Sequence, residues 1–385
     1  MSAAKWRNAM NTGLSAGQVL PAPRAAAGAS ANASSLPADA HSSQTGPSWW
    51  AAGWSRVQWR HAIVLAALLL MPLVLTPFLL YQVAAQSLIL GLIALSLSFL
   101  AGYGGMVSLA QMSVAGMAGY AVAVLGVSGT ATSLNWPWGV AVPLALMVAV
   151  LASTLIGWLS VRTDGIYTIM ITLAIGVAFY YLVLQNYSVF NGFQGFQKVY
   201  PPVVFGLDWR SPVPFYFLTL IFALAGYFFI QWLVRTPFGV ALQGTRDNAR
   251  RMNSLGFNVI AHRVAAYAVS GLLAGMGGVL LVWYNGLISP GSVGTGWLIN
   301  LLVIAVLGGT KHPIGAFLGA IVFVLLQTFA IDLINRERFN LVIGGVFLTI
   351  VLFSPDGLLG LWAKLRSRFN AQPTNSSLTT RRRQP

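Results

Sequence analysis

The sequence contains no cysteine and very little charge. The absence of cysteine from all 385 residues excludes disulfides and thiolate metal sites. Only 8% of the residues are Asp, Glu, Lys or Arg, and only seven are acidic. A soluble chain of this length needs polar or charged groups over roughly half of its outer surface. The composition therefore excludes an ordinary soluble domain.

Ionisable side chains are also missing from the interior of the apolar runs. The acids are Asp39, Asp164, Asp208, Asp247, Asp332, Glu337 and Asp356, and the histidines are His41, His61, His262 and His312. This disfavours a proton- or ion-coupled carrier, which usually needs a buried ionisable group, although backbone carbonyls could still bind sodium. No metal cluster or acid–base pair can be assembled from this pattern, and we expect no cofactor.

No lysine follows the glycine pattern of a nucleotide-binding phosphate loop. The four lysines are Lys5, Lys198, Lys311 and Lys364, and none stands after the glycines that such a loop requires. If ATP drives this protein, another chain hydrolyses it. We therefore expect the chain not to be an enzyme.

Long apolar runs dominate the chain. It is 57% hydrophobic, with a mean hydropathy of +0.73. A helix needs about 20 mainly apolar residues to cross a bilayer, and ten runs are candidates, of which the eighth and tenth are short. This predicts an all-α, polytopic membrane helical bundle. The predicted spans are residues 61–80, 83–101, 106–127, 139–160, 166–186, 214–234, 264–284, 297–309, 314–331 and 339–353.

The net charge of +15 is distributed between the apolar runs, so we expect membrane topology to explain it, with no nucleic-acid partner. With the N-terminus inside, ten crossings place eighteen of the Lys and Arg residues in the cytoplasm and four outside. If residues 297–309 are instead re-entrant, everything after them inverts and the split becomes 13 to 9. The positive-inside tendency favours ten crossings and two cytoplasmic termini.

The two ends of the chain differ in composition from its centre. Residues 25–45 are rich in Ala and Ser and have no apolar periodicity, which predicts a disordered cytoplasmic tail over residues 1–55; an organellar transit peptide is the alternative. A transmembrane domain follows over residues 56–362. Residues 363–385 form a basic cytoplasmic tail.

The 40 glycines suggest two structural roles. Gly271 with Gly275, and Gly315 with Gly319, have the GxxxG spacing that lets membrane helices pack closely, and Ala115 with Gly119 form a similar small pair. The clusters at residues 102–105 and 308–309 are candidates for helix interruptions that leave carbonyls facing a pathway.

The largest internal cytoplasmic segment runs from Arg235 to Arg263. Pro237 stands at its start, and Gly256 is a candidate helix terminator. Residues 245–255 between them are predicted to form about three helical turns. Such a helix lies either in the groove of a partner protein or on lipid headgroups, helped by its arginines. The pattern alone leaves both open.

This segment resembles the coupling loop of the LivM-type permeases of branched-chain amino acid ABC transporters, and we call residues 235–263 the coupling loop. The matching residues are Arg235, Pro237, Phe238, Gly239, Ala241, Leu242, Arg246, Asp247, Asn248, Leu255 and Gly256. Two departures occur: Ala249 replaces an acid, and Arg251-Met252 replaces a pair of small residues.

Three further segments match the same family, in the same order. They are Gly102–Gln111, then Arg162–Tyr167 with Thr172–Ala174, then Ile288–Pro290 with Val306–Gly309. Asp164 stands where a basic residue is usual. The resemblance covers roughly residues 60–360 and implies a type II ABC importer permease in a bacterial inner membrane. It also implies two ATP-binding subunits, a second homologous permease subunit and a periplasmic solute-binding protein as partners.

The resemblance also suggests site residues. The expected ATPase-coupling residues are Arg246, Asp247, Asn248, Arg250, Arg251, Leu255 and Gly256. The expected lining of the substrate pathway is Ser108, Gln111, Tyr167, Thr172 and Asn300; the alternative for each is a hydrogen bond to a neighbouring backbone carbonyl. The loop at 188–213 either receives the binding protein or forms a packed cap.

The implied solute is a branched-chain or related amino acid. The same permease class could carry urea or short amides instead. An ion-coupled secondary transporter and a membrane enzyme or scaffold are the remaining alternatives.

Overall fold

The computed structural model describes residues 59–129, 133–163, 165–203, 206, 208–333, 344–345, 347–349, 352 and 357–360. The chain divides into two units, Met1–Ala62 and Ile63–Pro385; of the first, only residues 59–62 are described, and they are helical. The predicted tails at 1–55 and 363–385 lie outside the described residues, and so does most of the predicted tenth span. The domain boundaries therefore stay predictions.

The described part of the chain is almost entirely helical. Apolar runs form helices because a backbone in lipid must satisfy its polar groups within its own segment. The helices are α1 Trp59–Val74, α2 Pro77–Leu79, α3 Gln86–Gly104, α4 Gln111–Leu125, α5 Trp138–Ser160, α6 Ile166–Gln185, α7 Tyr187–Phe190, α8 Pro212–Arg235, α9 Pro237–Asp247, α10 Ala249–Ser254, α11 Val259–Asn285, α12 Thr295–Gly308 and α13 Pro313–Leu333, with a π-helical stretch Leu80–Ala85 between α2 and α3.

Five described helices are long and apolar enough to cross a membrane: Pro77–Gly104, Trp138–Ser160, Ile166–Gln185, Pro212–Arg235 and Val259–Asn285. A sixth is added if the pair α12 and α13, bent by 118° at their junction, counts as one span. At 14 residues, α12 is about 21 Å long, shorter than a hydrocarbon core of about 30 Å. By length and composition, the described helices thus include five or six candidate spans, and the predicted count of ten is not confirmed.

Helix α3 is the centre of the bundle. Every residue from Ile89 to Leu100 on it is buried. Helix α11 packs against α3, α4 and α5, while α12 and α13 pack against α3 and against each other. A Cβ on Gly278 would overlap the carbonyl oxygen of Ala115. A Cβ on Gly275 would lie 2.7 Å from the Cβ of Ala149. The predicted close packing of helices at small residues is confirmed there.

Both predicted glycine interruptions occur. Gly105 (φ +68°) ends α3, and Gly309 (φ +96°) ends α12. The predicted span at 106–127 is wrong at its start, because residues 105–110 are not helical and α4 begins at Gln111. Buried non-helical backbone needs hydrogen-bonding partners from the protein. Met106 N donates to Leu100 O, and Leu109 N donates to the Thr172 hydroxyl at 3.1 Å.

The loop after α6 folds into a packed cap along residues 190–199. Strand β1 (Phe196–Gln197) pairs antiparallel with β2 (Leu287–Ile288), with Phe196 opposite Ile288. Phe196 is fully buried, and the rings of Phe190 and Phe196 meet the ring of Tyr120 edge-on. Phe193, by contrast, is 74% exposed. These contacts favour the packed cap of the two alternatives for this part of the loop.

Candidate functional site: the coupling loop

The coupling loop begins with a sharp helix stop and restart. Helix α8 ends at Arg235, and Thr236 leaves the helical conformation. Its hydroxyl accepts a hydrogen bond from Gly239 N at 3.4 Å, and Pro237 occupies the first position of α9. Ser and Thr are favoured at this cap and Pro at this first position because the first N–H groups of a helix have no internal partner.

The predicted single helix over 245–255 is wrong. The segment is two helices, because Asn248 adopts an extended conformation (φ −157°, ψ 92°) that ends α9 at Asp247. The Asn248 Oδ1 atom accepts a hydrogen bond from Arg251 N at 2.9 Å and so caps α10. Helix α10 ends at Ser254, and Gly256 follows with φ +87°, so the predicted helix end near Gly256 is confirmed.

The coupling loop has a buried inner side on α9 and an exposed outer side on α10. On α9, Leu242 and Thr245 are almost completely buried. No residue of α10 is buried, and Arg250 and Arg251 are exposed. Leu255 is 67% exposed. The inner side therefore anchors the loop on the bundle, while basic and apolar groups are exposed on the outer side.

The guanidinium of Arg246 contacts the helical bundle, and its expected role in ATPase coupling stays a prediction. Its Nε and Nη2 atoms each lie 2.9 Å from Asp247 Oδ1, and its Nη1 donates a hydrogen bond to the carbonyl oxygen of Gly102. Gly102 lies in the last turn of α3. A Cβ on Gly102 would overlap the carbonyl oxygen of Thr310, at the bend between α12 and α13. The loop, the end of α3 and this bend therefore meet at one place.

Three of the five expected pathway residues lie together, but inside the subunit. Ser108, Gln111 and Thr172 are fully buried. The Thr172 hydroxyl donates to Thr168 O at 3.0 Å while accepting from Leu109 N, and Gln111 Nε2 donates to Ser108 Oγ at 3.5 Å. These contacts join the non-helical segment 105–110 to α4 and α6. Their role in a pathway stays a prediction.

The other two expected pathway residues lie apart from this cluster. Tyr167 is 66% exposed in the first turn of α6. Asn300 is half-buried on α12. The structure thus brings together three of the five and separates two.

Sequence reasoning missed several residues that contact the buried cluster or the end of α3. The Ser96 hydroxyl lies 3.3 Å from Gln111 Oε1, and the Ser270 hydroxyl donates to Ser96 O at 3.1 Å. Both serines lie in the middle of apolar runs, where a lone hydroxyl gives no pattern to follow. Thr310 was missed too, although the neighbouring Gly308-Gly309 cluster marked the break in which it lies. Among the described residues, no group of three or more His, Cys, Asp and Glu could hold a metal ion.

The model of one protein family matches most of the chain. Residues 79–351 match the family model described as branched-chain amino acid transport system, permease component. The chain belongs to this family. The matched range includes the coupling loop, the buried Ser108–Gln111–Thr172 cluster and the bend at residues 309–312. The protein is therefore a membrane transport permease.

Individual relatives agree. Over 305 residues, the permease is 25% identical to the high-affinity branched-chain amino acid transport system permease protein LivM of Salmonella typhimurium and to that of Escherichia coli, covering 72% of this chain and 69% of each relative. It is 31% identical over 157 residues to the autoinducer 2 import system permease protein LsrC of Photorhabdus laumondii, covering 39% of this chain and 44% of that protein. No solved structure matches.

Proposed function

We propose that this permease is the pathway-forming subunit of an ATP-driven importer for branched-chain or related amino acids. Separate ATPase subunits hydrolyse ATP, a second permease subunit completes the pathway, and a periplasmic binding protein delivers the solute. The assembly has the type II importer arrangement in a bacterial inner membrane, with both termini in the cytoplasm. Ten crossings are part of this proposal.

The coupling loop is the observation that carries the proposal. It stands between two full-length spans, α8 and α11, and is anchored by Leu242 while α10 faces outward. Short helices that lie in a partner's groove present such exposed side chains. The exposed Arg250, Arg251 and Leu255 are accordingly the groups that we assign to ATPase contact.

The choice of solute rests on the relatives. The LivM proteins match over more of this chain than LsrC does, and their names specify branched-chain amino acids. LsrC is named for autoinducer 2 import, so the same permease class importing a different small solute is the second candidate. Solute identity is set by pocket contacts worth only about 1–3 kcal/mol per small group, which a shared fold does not fix.

Reconstitution tests the proposal directly. The permease would be purified with its co-expressed ATPase, second permease and binding protein, placed in proteoliposomes, and assayed for uptake of labelled leucine, isoleucine, valine, urea and autoinducer 2. We expect uptake of a branched-chain amino acid that requires hydrolysable ATP and binding protein. Uptake driven by an ion gradient without ATPase subunits would refute the importer assignment. ATP-dependent uptake of another solute would refute only the choice of substrate.

The exposed face of the coupling loop is tested by charge reversal. In Arg250→Glu/Arg251→Glu we expect the ATPase subunits to be lost on affinity purification while the permease stays in the membrane, because both changed side chains lie on the outward face. The control is Arg162→Glu, a charge reversal at an exposed arginine in the loop between α5 and α6. Retention of the ATPase together with weaker binding to anionic vesicles would favour the lipid-headgroup alternative.

A further inference from the structure

Arg246 is an expected ATPase-coupling residue whose charged group reaches the helical bundle instead. Its side chain is 41% exposed, and all three guanidinium nitrogens have acceptors within the chain. A single carboxylate oxygen of Asp247 contacts both Nε and Nη2 of Arg246. The third nitrogen, Nη1, donates to Gly102 O. A charge held in this way is positioned for a contact inside the permease.

The acceptor is a carbonyl that a helix end leaves available. Helix α3 ends at Gly104, so the carbonyls of its last turn have no partner further along the helix. The same end carries the negative pole of the helix dipole, which favours a cation there. Gly105, with φ +68°, turns the chain away. Arg246 therefore caps α3 from a segment more than a hundred residues away in the sequence.

The geometry of Gly105 keeps the place of Arg246 open. A Cβ on Gly105 would lie 2.6 Å from the Cγ atom of Arg246, closer than real side chains approach. Leu242, which is fully buried, lies beside Gly104 in the same last turn. The coupling loop is thus attached to the end of α3 by one apolar and one charged contact.

The end of α3 in turn touches the bend between α12 and α13. The carbonyl oxygen of Gly102 accepts the hydrogen bond from Arg246. A side chain at position 102 would collide with the carbonyl oxygen of Thr310. The bend itself packs backbone on backbone, because a Cβ on Gly308 or Gly315 would overlap a carbonyl oxygen of the opposite helix. Backbone in such close contact shifts as a unit instead of deforming gradually.

We propose that Arg246 is a positioning residue that links the coupling loop, through the carbonyl of Gly102 at the end of α3, to the bend at residues 309–312, so that movement of the loop is delivered to the α12–α13 pair. This rests on the proposed ATP-driven function. It differs from ATPase contact in predicting that Arg246 acts after the ATPase has bound. Arg250 and Arg251 make the ATPase contact.

Two changes break this link in different ways. Arg246→Gln removes the cation and two of the three nitrogen donors, whereas Gly105→Ala keeps Arg246 and displaces its stem. Gly165→Ala is the control for backbone strain, since Gly165 has φ +63° and no neighbouring atom within 4 Å of the place that a Cβ would take. Arg250→Gln is the contrasting variant for ATPase docking.

The readout is measured on the full complex. For Arg246→Gln and Gly105→Ala we expect normal co-purification of the ATPase, with solute transported per ATP reduced by about tenfold, a typical size for coupling between sites. Gly165→Ala should transport as much solute per ATP as the unaltered protein, and Arg250→Gln should lose ATPase on purification. If Arg246→Gln loses the ATPase as Arg250→Gln does, or if transport per ATP is unchanged, the link is refuted.

A second measurement needs no ATPase. In the permease alone, hydrogen exchange of the amides at residues 100–110 and 306–312 should be faster in Arg246→Gln than in Arg250→Gln. Equal exchange in the two variants would overturn the link even if the complex transports amino acids. Failure of the unaltered complex to couple ATP to uptake, with faster exchange in Arg246→Gln, would instead refute the proposed function and leave the contact standing.

Discussion

At the scale of single residues, hydroxyl groups serve the backbone of the permease. Thr172 accepts the N–H of Leu109 and donates to the carbonyl of Thr168. Ser153 donates to Tyr267 O at 2.6 Å, and Tyr216 donates to Leu68 O at 2.8 Å. In each case a side chain satisfies backbone of another segment or turn, which is valuable where water cannot reach. Buried hydroxyls here hold the fold together.

Thr172→Val tests this role. The change keeps the shape of the side chain but leaves the buried N–H of Leu109 without an acceptor, which costs about 1–3 kcal/mol. We expect a lower melting temperature of the purified permease in detergent. Thr154→Val is the matched control, because its hydroxyl only bonds Val150 O one turn earlier in its own helix. Equal melting temperatures for the two variants would show that the Leu109 contact is not stabilising.

At the scale of helices, the permease depends on close backbone contact. Helices α11 and α4 approach so closely that Gly278 meets the carbonyl of Ala115. Because lipid tails are as apolar as the helix surfaces, the hydrophobic effect does not drive helices together in a bilayer. Close packing of this kind stabilises their association instead. The same device holds α12 to α13 through Gly308 and Gly315.

Gly278→Ala should disrupt the α4–α11 contact. A methyl group there overlaps backbone that has no rotamer to move, so we expect destabilisation of about 1–3 kcal/mol or more. Gly139→Ala, in the first turn of α5 with nothing within 4 Å of the new Cβ, should be neutral or slightly stabilising. Size-exclusion chromatography of both variants after heating compares them. A Gly278→Ala protein as heat-resistant as Gly139→Ala contradicts the contact.

The break within the coupling loop depends on Asn248. In Asn248→Ala we expect α10 to lose about 1 kcal/mol of capping energy, since the Oδ1 atom that accepts Arg251 N is removed. Hydrogen exchange at residues 249–254 should then be faster, as measured by mass spectrometry. Asn248→Asp keeps the acceptor and should exchange as the unaltered protein does. Slow exchange in both would mean that contacts other than the cap hold α10.

At the scale of the whole molecule, topology follows from the number of spans between two positions. Phe193 and Arg251 are separated by the single span α8, whose 24 residues reach about 36 Å. Lys311 is next to Thr310, which meets the same end of α3 as Arg246 does. Neither the relation between Phe193 and Arg251 nor that between Lys311 and Arg246 depends on the total number of crossings.

Single-cysteine labelling tests this arrangement, and the chain has no cysteine to interfere. With a membrane-impermeant maleimide, we expect Arg251→Cys and Lys311→Cys to label from one face of the membrane and Phe193→Cys from the other. Cytoplasmic labelling of Arg251→Cys would support the proposed orientation. Labelling of Lys311→Cys from the same face as Phe193→Cys would restore the re-entrant alternative for residues 297–309.

The sequence by itself predicted where most of the long apolar helices, their glycine interruptions and the coupling loop lie. These are local properties, since apolar runs must satisfy their own backbone in lipid and glycine alone adopts the left-handed conformation freely. Only the tertiary structure decided that Arg246 caps α3, that Thr172 serves residues 105–110, and that α12 and α13 meet at a sharp bend. The partners in the first two contacts stand 144 and 63 residues apart, and no local pattern specifies which distant carbonyl or hydroxyl a side chain meets.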